Sequence, residues 1–161
     1  MYKALFFFLI LILILVVLYF TGRKSVEHQI VINATPSEVW NVLTDTKAYP
    51  EWNPVMLLKN GEIENGSRLL YEFTQDKNTK SEISITVKEI TPNKLLNQVG
   101  GIPFILTFNH TYTLVPNGDA TKVIIHEDYN GIGVNFWNPQ PVEIAYGRLN
   151  EALKKRVEFL N

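Results

Sequence analysis

Between Ala4 and Phe20 the chain reads ALFFFLILILILVVLYF, and the Tyr19 hydroxyl is its one polar side-chain group. With Thr21 and Gly22 the uncharged stretch reaches 19 residues. As a helix rising about 1.5 Å per residue it covers roughly 28 Å, close to the thickness of a bilayer's hydrocarbon core. A helix apolar on every face could otherwise be buried only inside a much larger protein than this chain of 161 residues. A cleaved secretory signal is the competing reading, but its apolar region is shorter and ends in a small-x-small site. Here Phe20 stands two before Gly22, and Arg23 and Lys24 follow at once. The sequence therefore predicts an uncleaved single-pass anchor inserted through residues 4–20, with residues 1–24 as anchor and flanks and 25–161 as one domain. Lys3 and the amino terminus balance Arg23 and Lys24, so the positive-inside rule assigns no side to that domain.

Of the 15 basic residues, Lys3, Arg23 and Lys24 precede residue 25, leaving 12 against 16 acidic ones and a net charge of −4 for the domain. A mildly acidic domain without a basic stripe is unsuited to nucleic acid, where phosphate neutralisation dominates affinity. With no cysteine, disulfides, thiolate zinc sites and cysteine nucleophiles are excluded.

After the anchor the periodicity changes. Residues 26–34 alternate as a first strand. In TPSEVWNVL, Thr35 suits an N-cap, Pro36 the first helical position and Glu38 the glutamate of a capping box, so a short helix starts there. Tyr49-Pro50 and Asn53-Pro54 then break it into a further turn and a link. Six segments read as strands, 55–59, 68–75, 82–90, 94–99, 104–115 and 121–130, separated by turn residues such as Asn60-Gly61, Asn65-Gly66 and Gly100-Gly101 with Pro103. Beyond Asn138, Val142, Ala145, Leu149, Leu153, Val157 and Leu160 recur at helical spacing, with Arg148, Glu151, Lys154, Lys155 and Glu158 on the opposite, solvated face. The expected fold class is α+β: a curved antiparallel sheet wrapped around one long C-terminal helix, preceded by one transmembrane helix.

If Pro116 faces Thr121 across Asn-Gly-Asp-Ala, then Leu114, Tyr112, His110 and Phe108 face Val123, Ile125, Glu127 and Tyr129 on one side of the last hairpin. That side is apolar except for one imidazole opposite one carboxylate, and a slip of one residue would mix the faces. An earlier hairpin sets Leu69, Tyr71 and Phe73 against Val87, Ile85 and Ile83. Tyr71, Phe73, Ile85, Phe108, His110, Tyr112, Ile125, Glu127 and Tyr129 are therefore expected to line one inner space against Leu149 and Leu153 of the last helix, a wall suited to a hydrophobic ligand.

The run IVINATPSEVWNVLTDTKAYPEWNP resembles the opening of SRPBCC or START-like domains, and HTYTLVP, TKVIIHEDYNG and RLNEALKKRVEFL follow in that family's order. The resemblance, closest to the polyketide cyclase and dehydratase branch, covers about residues 26–160 and implies the helix-grip fold with an apolar cavity between sheet and long helix. The family includes lipid carriers and cyclases, so the resemblance leaves activity open. The stretch between Gly131 and the last helix is short, which implies a reduced loop over the cavity mouth. The anchor is not part of the shared pattern.

The side chains narrow the choice. His126 lies on the face opposite His110, and His28 on another strand, so no metal site is expected. The GIG at 131–133 lacks the rest of a dinucleotide fingerprint, and there is no GxSxG or phosphate loop, so no cofactor is expected. The expected function is a membrane-anchored binding protein for a hydrophobic small molecule or lipid. The alternatives are a cyclase or dehydratase using His110 or Glu127 as general base, with Tyr112 or Tyr129 as hydrogen-bond donor, and a non-enzymatic interaction module.

Overall fold

The computed structural model describes residues 2–160. Helix α1 (Tyr2–Thr21) is exposed along its whole length and is long and apolar enough to cross a membrane. It ends one residue before strand β1 (Arg23–Ile32), so the strand starts three residues earlier than its alternation predicts, and a boundary after Lys24 would cut into it. The early start has a long-range cause. Gly131 N–H donates to the Gly22 carbonyl, and Arg23 and Lys24 pair with Asn130 and Tyr129.

Helix α2 (Pro36–Thr44) opens with the predicted capping box: Thr35 Oγ1 accepts from Glu38 N–H, and the Glu38 carboxylate accepts from Thr35 N–H at 2.7 Å. The bonds that this carboxylate accepts from the Thr35 N–H and hydroxyl hold it below the ordinary carboxylate range. A 3-10 turn and the single turn α3 (Tyr49–Trp52) lead to strands β2 (Met56–Asn60), β3 (Arg68–Thr74), β4 (Lys80–Thr91), β5 (Leu95–Ile102), β6 (Leu106–Asn117) and β7 (Ala120–Asn130). A 3-10 turn at Ile132–Phe136 precedes helix α4 (Gln140–Leu160). All seven strands form one antiparallel sheet in the order β1-β7-β6-β5-β4-β3-β2.

The β6–β7 register is the predicted one, with Leu114, Tyr112, His110 and Phe108 facing Val123, Ile125, Glu127 and Tyr129. The β3–β4 register differs by two residues: Leu69, Tyr71 and Phe73 face Ile85, Ile83 and Ser81. The turn decides this. Asp76 Oδ1 accepts from Asn78 and Thr79 N–H, and Gln75 N–H donates to the Thr79 carbonyl, which tightens the loop. A shift of two keeps every side chain on its face, so polarity does not oppose it. Helix α4 buries Val142, Ala145, Tyr146, Leu149, Leu153 and Val157 against the sheet. Arg148 leaves the expected solvated face and donates to the carbonyls of Thr74 and Gln75, at 3.0 and 2.6 Å, tying the end of β3 to α4.

Candidate functional site

Strand direction alone assembles the site. In this antiparallel order the ends of β3, β5 and β7 and the starts of β1, β4 and β6 lie at one end of the sheet, where α4 also begins. There the interior is hollow, with a cavity of about 270 Å³. Phe73, Ile83 and Ile85 form one wall, Leu106, Phe108, Tyr129 and Trp137 another, and Val142 and Tyr146 of α4 the roof. Met56, Gln75, Ser81, Gln98, His110 and Glu127 complete the lining.

Of the eleven residues that the sequence assigns to the cavity, Phe73, Ile85, Phe108, His110, Glu127 and Tyr129 line it. Ile125, Leu149 and Leu153 are corrections: they are at most 1% exposed and belong to the packed core further along the sheet. Tyr71 and Tyr112 are also displaced, into close packing with Tyr49 and Leu96 beyond the cavity floor. Alternation identifies an inner face, and filled and hollow parts of that face look alike.

Glu127 is the electrostatic centre. It is 5% exposed and His110, opposite it, 6%. His110 Nδ1 lies 2.8 Å from Glu127 Oε2, and the Tyr146 hydroxyl donates to the same oxygen. An ionised carboxylate only accepts, so with Glu127 ionised the imidazole proton sits on Nδ1. Burial pushes the Tyr146 hydroxyl well above the ordinary tyrosine range, and the Glu127 charge adds to it. Tyr129 is raised by the same causes in the same order. These phenols stay protonated and serve as donors rather than bases. The rings brace one another, His110 against Tyr146 at 5.1 Å between centroids and Tyr129 against Trp137 at 4.6 Å.

Tyr146 is the residue that the sequence reading missed. Its signal was present: it stands four after Val142 and three before Leu149, on the buried stripe of the helix. Trp137 also faces the cavity while meeting Tyr129 edge-on. Among the described residues no three histidine or acidic side chains converge as metal ligands.

Solved structures share this fold at low identity. A protein of Thermus thermophilus superimposes with a TM-score of 0.70 at 15% identity, covering 86% of this chain and 99% of that one. A protein of Chromobacterium violaceum gives 0.69 at 17%, covering 83% and 96%. Norcoclaurine synthase of Thalictrum flavum, in complex with dopamine and hydroxybenzaldehyde, gives 0.62 at 16%, covering 86% and 88%. Comparison with curated proteins gives no match. The family described as polyketide cyclase / dehydrase and lipid transport matches residues 23–158, from the first residue of β1 almost to the end of α4. The chain belongs to that family.

Proposed function

We propose that the domain is a membrane-tethered receptor for a small hydrophobic molecule, held in the cavity between sheet and α4. The observation that carries this reading is the wall itself: apolar and aromatic side chains surround one buried carboxylate whose nearer oxygen is already occupied by His110 and Tyr146. Such a site selects a ligand by shape and apolar contact and uses its few polar groups for orientation. Size narrows the ligand class. A space of about 270 Å³, open on one side, suits one ring system or one apolar chain of a larger amphiphile. Tethering through α1 keeps the cavity close to molecules dissolved in the bilayer and raises their effective concentration.

The test is mass spectrometry of small molecules that co-purify with the full-length protein, compared with an Ile83→Trp variant whose indole would occupy the cavity. A compound retained by the wild type and lost from the variant is expected. Identical content in the two proteins would count against a ligand there.

The grouping of His110, Tyr146 and Tyr129 around Glu127 in the cavity lining favours a second reading, a cyclase or dehydratase with Glu127 as base. Glu127→Gln separates the two. A receptor keeps its affinity within about tenfold, roughly 1.4 kcal/mol. An enzyme loses about 10² or more of a demonstrated turnover with folding intact.

A further inference from the structure

The end of the sheet that holds the cavity is also the end at which α1 enters, and its rim is apolar. The end of β5 and the β5–β6 connection carry Ile102, Phe104 and Ile105, and the turn before α4 carries Phe136; Phe104 is 72% exposed and Phe136 79%. Neighbouring residues in both segments face inward, since Leu106 and Trp137 line the cavity. Residues 95–118 and 131–142 contain no Asp, Glu, Lys or Arg. A large apolar group in an uncharged, solvent-facing setting marks an interaction surface.

The turn chemistry points the same way. Ile105 N–H donates to the Ile102 carbonyl at 3.1 Å, with Pro103 and Phe104 between them. Phe104 has φ of 66°, at the turn position where glycine is the favoured residue. The chain places a bulky aromatic side chain there instead, directed outward. The two rim segments form one unit, because Ile132 N–H donates to the Phe104 carbonyl and Gly133 N–H to the Ile105 carbonyl, at 2.9 and 2.8 Å.

This rim is continuous with α1. The rings of Tyr19 and Phe104 lie 5.9 Å apart, Asn135 Nδ2 donates to the Leu18 carbonyl at 2.7 Å, and Thr21 bonds the Asn135 side chain. The helix is thus fixed to the domain rather than hung from a linker. With α1 in a bilayer, Phe104 and its neighbours lie level with its last turn.

We infer that Ile102, Phe104, Ile105 and Phe136 form a second membrane contact, seated in the interfacial layer beside α1, so that the cavity mouth opens onto the bilayer rather than onto water. The occupant of this surface is a lipid bilayer. The inference rests on the anchoring reading of α1. It adds that the domain has one fixed orientation on the membrane and that the ligand enters from the lipid phase. The charged β3–β4 loop at Asp76 and Lys77 lies at the same sheet end, several strands away from α1, and marks the rim's polar limit.

Because the chain has no cysteine, single cysteines report position directly. Ile105→Cys and Phe136→Cys, each carrying an environment-sensitive fluorophore, are placed in full-length protein in phosphatidylcholine vesicles. Leu13→Cys reports the anchor, and Asp119→Cys the opposite end of the sheet. Nitroxide lipids labelled near the carbonyls or near the chain ends act as shallow and deep quenchers. The expected result is quenching of both rim labels by the shallow lipid, as for groups about 5–10 Å into the interface. Leu13 should be quenched by the deep lipid and Asp119 by neither. Rim labels with water-like emission and no quenching, beside a deeply quenched Leu13, would overturn the rim contact and leave the anchor standing. An unquenched Leu13 would remove the anchor and the rim contact together. Blue-shifted rim emission insensitive to both lipids would assign the surface to a protein partner instead.

Discussion

The two halves of the space between sheet and α4 present the same kind of apolar inward face and end in different states. In the half far from α1, Ile32, Leu114, Val123, Leu149 and Leu153 are at most 2% exposed and fill their space. In the near half the lining holds Phe73, Phe108, Tyr129, Tyr146 and Trp137 around an open cavity. The difference lies in shape rather than polarity. Branched aliphatic chains interdigitate to close packing, whereas flat rings meeting edge-on leave corners that they cannot bend to fill. Phe73 and Tyr146 meet at 6.4 Å and 68°, and Tyr129 and Trp137 at 4.6 Å and 69°. The hydrogen bonds at Glu127 fix Tyr146 and His110 further, so the near half is held open by a rigid frame.

The strongest way to break this contrast is to remove the frame. His110→Leu leaves the buried Glu127 without its imidazole partner, a change that costs on the order of 3–5 kcal/mol. Chemical denaturation at neutral pH should show that loss. A loss under about 1 kcal/mol would mean that the hydroxyls of Tyr146 and its neighbours satisfy the carboxylate alone. A direct comparison of the halves comes next. Leu153→Ala, in the packed half, should cost about 2–5 kcal/mol, because it removes buried methyl groups and leaves a new void. Ile83→Ala, on the cavity wall, should cost less than about 1.5 kcal/mol, because it widens a space that exists and its side chain is only half-buried. Equal losses at the two positions would mean that the cavity closes up in solution.

How much of this was legible in the sequence depends on what each feature had to be read against. The facing of His110 and Glu127 was legible because a one-residue slip at β6–β7 would have put polar residues inside, and the tight turn at Gly118, with φ of 63°, fixed the register. The β3–β4 register was not, because a slip of two residues preserves both faces and only the Asp76 turn tells the two apart. The capping box at Thr35 was legible as a purely local pattern. The start of β1 at Arg23 was not, since it depends on Gly131, more than a hundred residues away. The open and closed halves could not be separated, because hydrophobic periodicity records which side a residue faces and not how completely its neighbours fill the space. Ile125, Leu149 and Leu153 were placed with the cavity for that reason.

A last comparison separates the halves by their tyrosines. Burial raises Tyr71 from 10.0 to about 12, with the Gln98 amide pulling modestly the other way. The unfolded chain releases this proton near 10, whereas the folded chain keeps it until about pH 12. The neutral phenol therefore contributes its full stabilisation below pH 10 and loses it as pH rises from about 10 to 12, at about 1.4 kcal/mol per pH unit for one group. Tyr146 and Tyr129, in the near half, are raised beyond that range by burial and the Glu127 charge. A phenolate absorbance titration should thus show Tyr71 ionising before either of them, with the Tyr71→Phe difference spectrum identifying its step. Glu127→Gln removes the charge that helps to raise Tyr129, Tyr146 and, more weakly than burial and Tyr71 do, Tyr112, whereas the Tyr71 shift comes from burial, so the variant should lower those tyrosines and leave the Tyr71 step in place. Movement of the Tyr71 step by the same amount would mean that the carboxylate's field, which already raises Tyr112 beyond the cavity floor, reaches Tyr71 as well, and that the two halves form one electrostatic unit despite their different packing.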